Sequence, residues 1–476
     1  MRPFPLLCLL TLGCPPVTTP DPTLVDADGD GFPVEEDCDD GDAGINPGAG
    51  EVCNGLDDDC DGAMDEGWPD VNADGLAECS LACPMVVDAA AAPGGVGSPE
   101  APFATIGDAL AWLAPDCARV EVGPGTYAER VDFGERDLEL VATAGPEVTV
   151  IDAGGAGTVV TIAGGQGSES LLQGFTLTGG SGTWGDGADF SAHLQHGGGL
   201  VVSESDPTVV GNIIAGNTTT GRGAGAVLFR YDGLFTGNVV RDNTAALQSG
   251  YAGAGLYLRY GDPIVWGNEI TGNVALAADG IGGGILARGG DPWIVANRVQ
   301  GNLAGGSGGG LRTVSATQLV AANLVVENDP EGIVTSDGDD GAIVNNTTVG
   351  NATDGLKSFA GADYSGDGPA TVFENNLSTG NGRYGFYVYG RDAIAVFQHN
   401  LLWGNARAEY AGLGDRTGRD GNLSEDPLLD GELRPTEGSP AIDAGIDAGG
   451  WGVFEDLDGT PRPQGAGWDI GAYEVE

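Results

Sequence analysis

Positive charge is scarce in this chain: one lysine, Lys357, and eighteen arginines face 70 acidic residues, which gives a formal net charge of −51. Binding to nucleic acid needs clustered cations that neutralise phosphates, so this composition excludes nucleic acid as an expected partner. The same imbalance disfavours adsorption to anionic lipid headgroups. Such an acidic composition suits calcium binding, high solubility and an extracellular setting.

Long apolar runs are scarce too. The run Phe4–Leu12 follows Arg2 and is too short to span a bilayer, but it suits the apolar part of a secretory signal. It leads into Cys14 through the sequence LTLGC, which resembles the lipobox of bacterial lipoproteins, with Thr11 where that family prefers leucine. The resemblance implies a signal over residues 1–14, acylation of Cys14, and an outer-membrane, cell-surface or secreted location. An ordinary cleaved signal is the alternative.

Cysteine is absent from the last three quarters of the chain. Apart from Cys8 in the predicted signal and Cys14, all the cysteines lie between residues 38 and 117. They are Cys38, Cys53, Cys60, Cys79, Cys83 and Cys117. An even number of cysteines in an exported chain predicts disulfides, here three within the N-terminal module, and the sequence leaves fifteen pairings open.

An acidic module is expected over residues 26–83, after a Pro/Thr-rich tether over 15–25. Its carboxylates alternate in three runs, each with a glycine at the sixth place. Calcium takes six to eight hard oxygen ligands, alternate residues of a tight loop point at one centre, and glycine permits the sharp turn. The predicted ligands are Asp26, Asp28, Asp30, Asp37, Asp57, Asp59, Asp61, Asp65, Asp70, Asn72, Asp74 and Glu78. No lysine or arginine lies between Arg2 and Arg119, so a bound cation would offset the repulsion between these carboxylates.

Three stretches of this module, Asp37–Asp40, Glu51–Gly55 and Asp57–Gly62, resemble a metal-binding motif of bacterial surface proteins. They are also similar to thrombospondin type 3 repeats, and this resemblance implies calcium as the cofactor. A disordered acidic tether is one alternative. Zinc or copper held by thiolates is another, although no histidine precedes His193 and oxidised cysteines do not ligate metals.

The chain between residues 170 and 410 is an internal repeat. Gly-rich segments begin at Gly197, Gly223, Gly253, Gly282 and Gly308, and asparagines follow fifteen and twenty residues later. The asparagine pairs are Asn212/Asn217, Asn238/Asn243, Asn268/Asn273, Asn297/Asn302, Asn323/Asn328, Asn346/Asn351, Asn376/Asn381 and Asn400/Asn405. Recurrence at 23–30 residues indicates a solenoid. Asparagine tolerates left-handed turns, and stacked amides can bond to one another, so these residues are expected to be structural.

Short apolar segments separate the glycines and asparagines, and they suit strands better than helices. One coil should therefore hold three strands and three turns. The residues match the parallel β-helix repeat of pectate lyases, pectin methylesterases and many bacterial surface proteins. We predict an all-β fold, a right-handed parallel β-helix over residues 119–425. A leucine-rich repeat is the main alternative, and its leucine pattern is missing.

Both ends of such a solenoid need covers. Residues 84–118 are expected to form a linker followed by an amphipathic cap helix. The apolar side of that helix would contain Phe103, Ile106, Leu110 and Leu113. Two stretches near this end, 102–106 and 122–129, resemble the entry of pectin methylesterase-type helices. A C-terminal cap over 426–476 is similar to that of the choice-of-anchor Q group, through the stretches 426–428, 439–445, 456–459 and 469–474.

Cations and aromatics recur at the outward positions of the first strand of the coil. The candidate ligand-binding residues are Arg230, Tyr257, Arg259, Tyr260, Arg288 and Arg312. Aromatic rings stack on sugars and guanidinium groups grip carboxylates or sulfates, so an anionic glycan could lie along this face. Four aspartates nine residues after each coil start, Asp206, Asp232, Asp262 and Asp291, could be turn residues, with the last two pairing Arg259 and Arg288.

Two function classes remain. The first, which we expect, is non-catalytic binding of a glycan or surface partner. The second is a pectate lyase-like polysaccharide lyase or hydrolase, which the fold alone does not establish. A lyase would need calcium and a basic residue, for which Lys357, Arg259 and Arg288 are candidates. The three histidines His193, His196 and His399 look incidental, so no catalytic residue is predicted.

Overall fold

A computed structural model describes residues 26–34, 36–39, 41–50, 56–63, 83–113, 117–184, 195–246, 250–336, 341–359, 371–389 and 394–475. The chain divides into two compact units, Met1–Leu81 and Ala82–Glu476. Several predicted features lie outside the described residues: the signal with Cys14, the tether, Cys53 and Cys79, Asp65 of the second acidic run, and the third acidic run with Asp70, Asn72, Asp74 and Glu78.

The second unit is a right-handed parallel β-helix, which confirms the predicted fold class. Three long parallel sheets run its length, and each coil gives one strand to each sheet. Sheet I contains β4 Val131–Asp132, β7 Val160–Ile162, β12 Leu200–Ser203, β16 Ala226–Phe229, β20 Leu256–Arg259, β24 Ile285–Arg288, β28 Leu311–Val314, β31 Ile333–Ser336, β34 Leu356–Phe359, β37 Tyr384–Tyr389 and β40 Ala408–Ala411.

The other two long sheets follow in each coil. Sheet II contains β1 Met85–Val87, β2 Arg119–Val122, β5 Glu139–Ala142, β8 Leu171–Gln173, β13 Thr208–Val210, β17 Leu234–Thr236, β21 Ile264–Trp266, β25 Trp293–Val295, β29 Leu319–Ala321, β32 Ala342–Val344, β35 Thr371–Glu374 and β38 Ile394–Gln398. Sheet III contains β3 Gly125–Tyr127, β6 Thr149–Asp152, β9 Thr176–Thr178, β14 Ile213–Ala215, β18 Val239–Arg241, β22 Glu269–Thr271, β26 Arg298–Gln300, β30 Leu324–Val326, β33 Thr347–Val349, β36 Leu377–Thr379 and β39 Leu401–Trp403.

The described residues form two smaller sheets as well. One is parallel, with β15 Thr218–Thr219, β19 Thr244–Ala245, β23 Val274–Ala275 and β27 Leu303–Ala304. The other is an antiparallel pair of β10 Thr183–Trp184 with β11 Gln195–His196. The described residues also form one short α-helix, α1 Ile106–Ala111, and a single 3₁₀ turn at Gly449–Trp451. Neither of these helices is long and apolar enough to cross a membrane.

The core fills the inside of the coils because side chains alternate along each strand. In β20, for example, Leu256 and Leu258 face inward and are buried, while Tyr257 and Arg259 face outward. Strands of successive coils pair in register, so Leu256 lies beside Ile285 of the next coil. Equivalent residues therefore stack in columns about 4.8 Å apart.

Two asparagine ladders run along the turns, as predicted. In each ladder an Nδ2 donates to the Oδ1 of the next coil over 2.8–3.2 Å. The first ladder joins Asn212, Asn238, Asn268, Asn297, Asn323, Asn346, Asn376, Asn400 and Asn422, and the second joins Asn217, Asn243, Asn273, Asn302, Asn328, Asn351, Asn381 and Asn405. Asn422 extends the first ladder beyond the pairs expected from the repeat.

The expectation that these asparagines occupy left-handed turn positions is wrong. The left-handed backbone conformation falls on the residue before the ladder asparagine, as at Ala296 (φ 55°), Ala322 (φ 53°) and Glu327 (φ 54°). At other coils that preceding residue is a glycine, such as Gly267 with φ 65°. The ladder position is therefore determined by the hydrogen bonds of the amide, and not by tolerance of a left-handed turn.

The N-terminal end of the β-helix starts earlier than expected, because β1 pairs in parallel with β2 and extends sheet II back to Met85. Helix α1 is shorter than the predicted cap helix, and Ile106 and Ala109 are its buried residues. The disulfide Cys83–Cys117 closes this end. It joins two of the six cysteines that were predicted to form disulfides, in a pairing that the sequence left open, and it lies in the second unit.

The C-terminal segment 426–475 packs along the sides of the coils, and does not cover the last coil alone. Ala448, Val453 and Trp468 cover the outer face of sheet II at residues such as Leu319 and Val344. On sheet III, Ala472 and Tyr473 cover Leu324 and Val326. An ion pair between Arg462 and Glu474, fully buried, holds the segment's own end together at 2.8 Å.

Candidate metal centre and ligand-binding face

Two acidic loops in the first unit share one geometry. In the first loop, the two oxygens of Asp26 accept the N–H groups of Gly29 (2.7 Å) and Gly31 (3.1 Å). In the second loop, Asp57 accepts the N–H groups of Asp61 (3.1 Å) and Gly62 (3.0 Å). The glycine at the sixth place has φ 106° in the first loop and 95° in the second, a conformation that favours glycine.

Each loop brings its three alternate carboxylates together. The ligand oxygens of Asp26, Asp28 and Asp30 lie within 4.8 Å of one another, and the same holds for Asp57, Asp59 and Asp61. The predicted ligand Asp37 forms a third group with the sulfur atoms of Cys38 and Cys60. Those sulfur atoms form a disulfide, so they cannot act as thiolates there.

Within the described part of this unit, three carboxylate oxygens are buried and accept no hydrogen bond. They are the Oδ2 atoms of Asp28, Asp30 and Asp37. Asp37 as a whole is only 8% exposed. Burial raises the pKa of the Asp28 carboxyl above its usual range, and the nearby charges of Asp30, Asp37 and Asp26 raise it further. An orphaned buried carboxylate is costly, so these oxygens fit a bound cation.

The outer face of sheet I is where the predicted ligand-binding residues lie. Tyr260 is 39% exposed, Arg230 is exposed and pairs with Glu204, and Arg288 and Arg312 are half-buried. The guanidinium of Arg288 lies 4.4 Å from the ring centroid of Tyr251. These residues therefore remain reachable from solvent.

Tyr257 and Arg259 were expected to be accessible as well, and this is wrong. Both face outward, but Tyr257 is 1% exposed and Arg259 is 7% exposed. Tyr251 and Ile281, from the segments that precede β20 and β24, pack over Tyr257 and its neighbours. The guanidinium of Arg259 stacks 4.0 Å from the ring centroid of Tyr260, so it supports that exposed ring.

The aspartates beside this face form a third ladder. Asp206 accepts the backbone N–H of Asp232 at 2.7 Å, and Asp232 accepts that of Asp262 at 2.7 Å. Asp262 in turn accepts the N–H of Asp291 at 2.8 Å. The interpretation of these aspartates as turn residues is confirmed by these bonds.

Further along sheet I, a second group of charges and rings was largely missed by the sequence argument. The Lys357 ammonium lies 2.5 Å from Oε1 of Glu331, a buried carboxylate that also accepts the N–H of Gly308. Arg383 Nε donates to Asp354 at 2.8 Å, and its guanidinium lies 5.0 Å from the ring centroid of Tyr387. The alternating aromatics of β37 were the available signal.

Exposed aromatic surface accompanies this second group. Tyr389 is 52% exposed and stacks on Phe359, with the ring centroids 4.8 Å apart and the planes 8° apart. Arg407 lies over Tyr384, 5.4 Å from the ring centroid. We call the residues Arg230, Tyr260, Arg288, Arg312, Lys357, Arg383, Tyr387, Tyr389 and Arg407 the cationic face. Of the histidines, His399 contacts the carbonyl oxygen of Ala444 at 2.8 Å and does not join this face.

Comparison with family models gives two matches. Residues 37–66 match the metal-binding motif of the Cu-binding MopE family, and residues 253–402 match the right-handed β-helix region. The first match covers the described second acidic loop. The second covers the middle and the C-terminal coils of the solenoid.

Solved structures with a similar fold include pectate lyase Pel9A, at 15% identity and a TM-score of 0.42, covering 83% of this chain and 98% of that one. The periplasmic alginate epimerase AlgG is similar at 12% identity and a TM-score of 0.36, covering 65% and 73%. The polysaccharide lyase Pedsa3628 from Pseudopedobacter saltans is similar at 11% identity and a TM-score of 0.28, covering 67% and 92%. No curated protein matches the chain. The chain thus contains a right-handed parallel β-helix and, in its first unit, a metal-binding motif.

Proposed function

We propose that this protein is an exported, lipid-anchored surface protein that binds an anionic polysaccharide along the cationic face without cleaving it. The observation that carries the proposal is the concentration of cations and aromatic rings on one sheet face of a chain with net charge −51. Rings such as Tyr260 and Tyr389 offer flat apolar surfaces to sugars, and guanidinium groups offer paired donors to carboxylates.

The reachable cations suit a chain-like ligand. Arg288 and Arg312 project from successive coils, whose strands are about 4.8 Å apart. An extended uronate or sulfated glycan lying across the coils would meet both guanidinium groups. The alternative function, a lyase or hydrolase, gains no support from Lys357. Its ammonium is held by the buried carboxylate of Glu331, and an ammonium has no lone pair with which to accept a proton from a substrate.

Calcium is the cofactor we propose for the first unit. The two described loops offer carboxylate oxygens alone, because Cys38 and Cys60 are oxidised and no histidine lies in that unit's sequence. Hard oxygen ligands in a glycine-containing loop suit calcium better than copper or zinc. Calcium would neutralise the carboxylates of Asp28 and its neighbours and thereby stabilise the folded loops.

The proposal is tested by removing two reachable arginines. The double variant Arg288→Ser/Arg312→Ser should bind polygalacturonate and alginate about tenfold or more weakly, because charge-assisted contacts are lost. The residual binding should also depend less on salt, since fewer ions are released. Affinity is measured by calorimetry at two salt concentrations, and thermal stability is followed in parallel.

The matched control removes the same charge elsewhere. Arg119 on sheet II and Arg241 on sheet III also face outward, so Arg119→Ser/Arg241→Ser should leave glycan affinity nearly unchanged. Unaltered binding by the first double variant, together with a large loss of stability, would show that Arg288 and Arg312 are structural. Release of unsaturated uronates or new reducing ends by the native protein would replace the binding proposal with catalysis.

A further inference from the structure

A groove on the outer face of sheet II is lined by large aromatic side chains that remain exposed. Trp266 is 46% exposed, Trp293 is 44% exposed and Phe454 is 62% exposed. With Ile264 and Val295 they line a pocket of about 320 Å³ beside the C-terminal segment. A volume of this order is typical of small-molecule sites.

The groove begins where the cover of sheet II ends. On the following coils, Leu319 and Val344 take outward positions and are buried by Ala448, Val453 and Trp468. Trp293 occupies the position paired with Leu319, one coil earlier, and lies at the edge of that cover. The chain therefore places tryptophans at the exposed edge and aliphatic residues under the cover. Exposing large apolar rings brings no stability, so they need another explanation.

The backbone of the C-terminal segment approaches the indole of Trp293 closely. A Cβ on Gly452 would lie 3.2 Å from Cη2 of that ring, and Gly452 has φ 81°. Glycine at this place lets the segment pass close to the ring, and Phe454 also lines the groove. The walls are thus set by the fold.

The charges around the groove select the ligand. Among the described residues that line it there is no lysine or arginine. The charged ones are Glu455, which is exposed, and Asp456, whose oxygens accept N–H groups of Asp458, Thr460 and Glu474. An anionic chain would be repelled here, whereas free carboxylate oxygens can accept hydrogen bonds from hydroxyl groups.

We propose that this groove binds an uncharged pyranose unit of a glycan. The rings of Trp266, Trp293 and Phe454 would stack on the apolar C–H faces of the sugar, and Glu455 would accept from its hydroxyls. The site differs from the cationic face in position, in charge and in ligand. One protein would thus hold an acidic glycan on sheet I and a neutral one on sheet II.

The test uses the full chain and a panel of neutral glycans, namely dextran, laminarin, galactomannan and xyloglucan, with their oligosaccharides at millimolar concentration. We expect at least one to bind, with affinity insensitive to added salt. Trp266→Ala and Phe454→Ala should each weaken that binding about tenfold or more, in proportion to the lost contact area. Trp266→Ala leaves the contact between Gly452 and Trp293 in place, so it should still fold. Trp403→Ala is the matched control, since Trp403 is a 40% exposed tryptophan on sheet III and should leave binding unchanged.

Four results would overturn the proposal. One is the absence of binding to every neutral glycan of the panel. Another is binding that survives Trp266→Ala and Phe454→Ala in correctly folded protein. The third is a change of oligomeric state in Trp266→Ala, measured by analytical ultracentrifugation, which would assign the groove to contact with a second copy. Salt-sensitive binding of an amine in place of a sugar would also contradict it. The double variant Arg288→Ser/Arg312→Ser leaves this groove intact. The test of neutral-glycan binding in the groove is therefore independent of the test of anionic-glycan binding on the cationic face.

Discussion

At a single ladder position, one asparagine amide satisfies backbone groups of two coils. Asn268 Nδ2 donates to the carbonyl oxygens of Phe235 and Trp266 and to Asn297, and its Oδ1 accepts the N–H of Asn238. Leaving such buried groups unpaired has a cost, so Asn268→Val should lower the free energy of unfolding by about 1–3 kcal/mol. Urea denaturation followed by circular dichroism measures this.

Asn405 provides the comparison for that prediction. It ends the second ladder, is 8% exposed, and bonds to the side chain of Glu409. Asn405→Val should therefore cost less than Asn268→Val, because water can reach the groups it leaves. Equally small losses at both positions would mean that the ladders do not contribute to stability.

The buried carboxyl of Asp469 should make the stability of the protein depend on pH. Burial raises its pKa from 3.8 to about 6, and the nearby charge of Glu474 adds to the rise, although the N–H groups of Asp443 and Val475 oppose it. The folded protein therefore holds this proton more tightly than the unfolded chain. Stability from Asp469 is present below about pH 4 and is lost as pH rises through about 6, by about 3 kcal/mol in all.

Asp469→Asn removes that titration and tests it. Asn keeps an oxygen for the Asp443 N–H but places an amino group at the Val475 N–H, so the variant should be less stable than the native protein at low pH. The difference between the two should shrink by about 3 kcal/mol from pH 4 to pH 7. Urea denaturation at several pH values measures it. A difference independent of pH would contradict the raised pKa.

At the scale of an element, the acidic loops should bind calcium. The full chain should show saturable binding by calorimetry, with dissociation constants of about 10⁻⁴–10⁻³ M, as in extracellular calcium modules. Asp28→Asn/Asp30→Asn should remove the binding of one loop, because two of its three clustered carboxylates are lost. The control Asp42→Asn changes an exposed aspartate outside the three groups. Binding of copper(II) with no binding of calcium would show that the metal was assigned wrongly.

The strands were predictable because each coil repeats the same local pattern. Inward residues such as Val209, Phe235 and Val265 recur at one place after each glycine-rich start, and all three are buried. Helix α1 was predictable only in part, since its end at Ala111 has no strong sequence signal. The left-handed residue was misplaced although the sequence carried a signal for it, because a glycine directly precedes the ladder asparagine at many coils, as at Gly267 and Gly301.

At the scale of the whole molecule, contacts between distant segments decided which outward residues are accessible. Tyr257 is covered by a segment of its own neighbouring coils, and Leu319 is covered by residues more than a hundred positions later. Repeat patterns carry no information on such contacts. For the same reason the groove of Trp266, Trp293 and Phe454 could not be assembled from the sequence, although two tryptophans flanking inward Val265 and Ile294 were its visible signal.

A lipid anchor on Cys14 is predicted to hold the whole molecule at the membrane. Cys14 ends an apolar run in a lipobox-like sequence, and the rest of the chain is strongly acidic, which disfavours electrostatic adsorption to anionic membranes. Attachment should then depend on acyl chains on Cys14. Cys14→Ser should move the protein from the membrane fraction to the soluble fraction while its export continues, as followed by fractionation and immunoblotting. Cys8→Ser is the matched control and should stay membrane-bound, since Cys8 lies in the segment that a signal peptidase would remove. If Cys14→Ser also stays in the membrane fraction after a high-salt wash, another part of the protein holds it there.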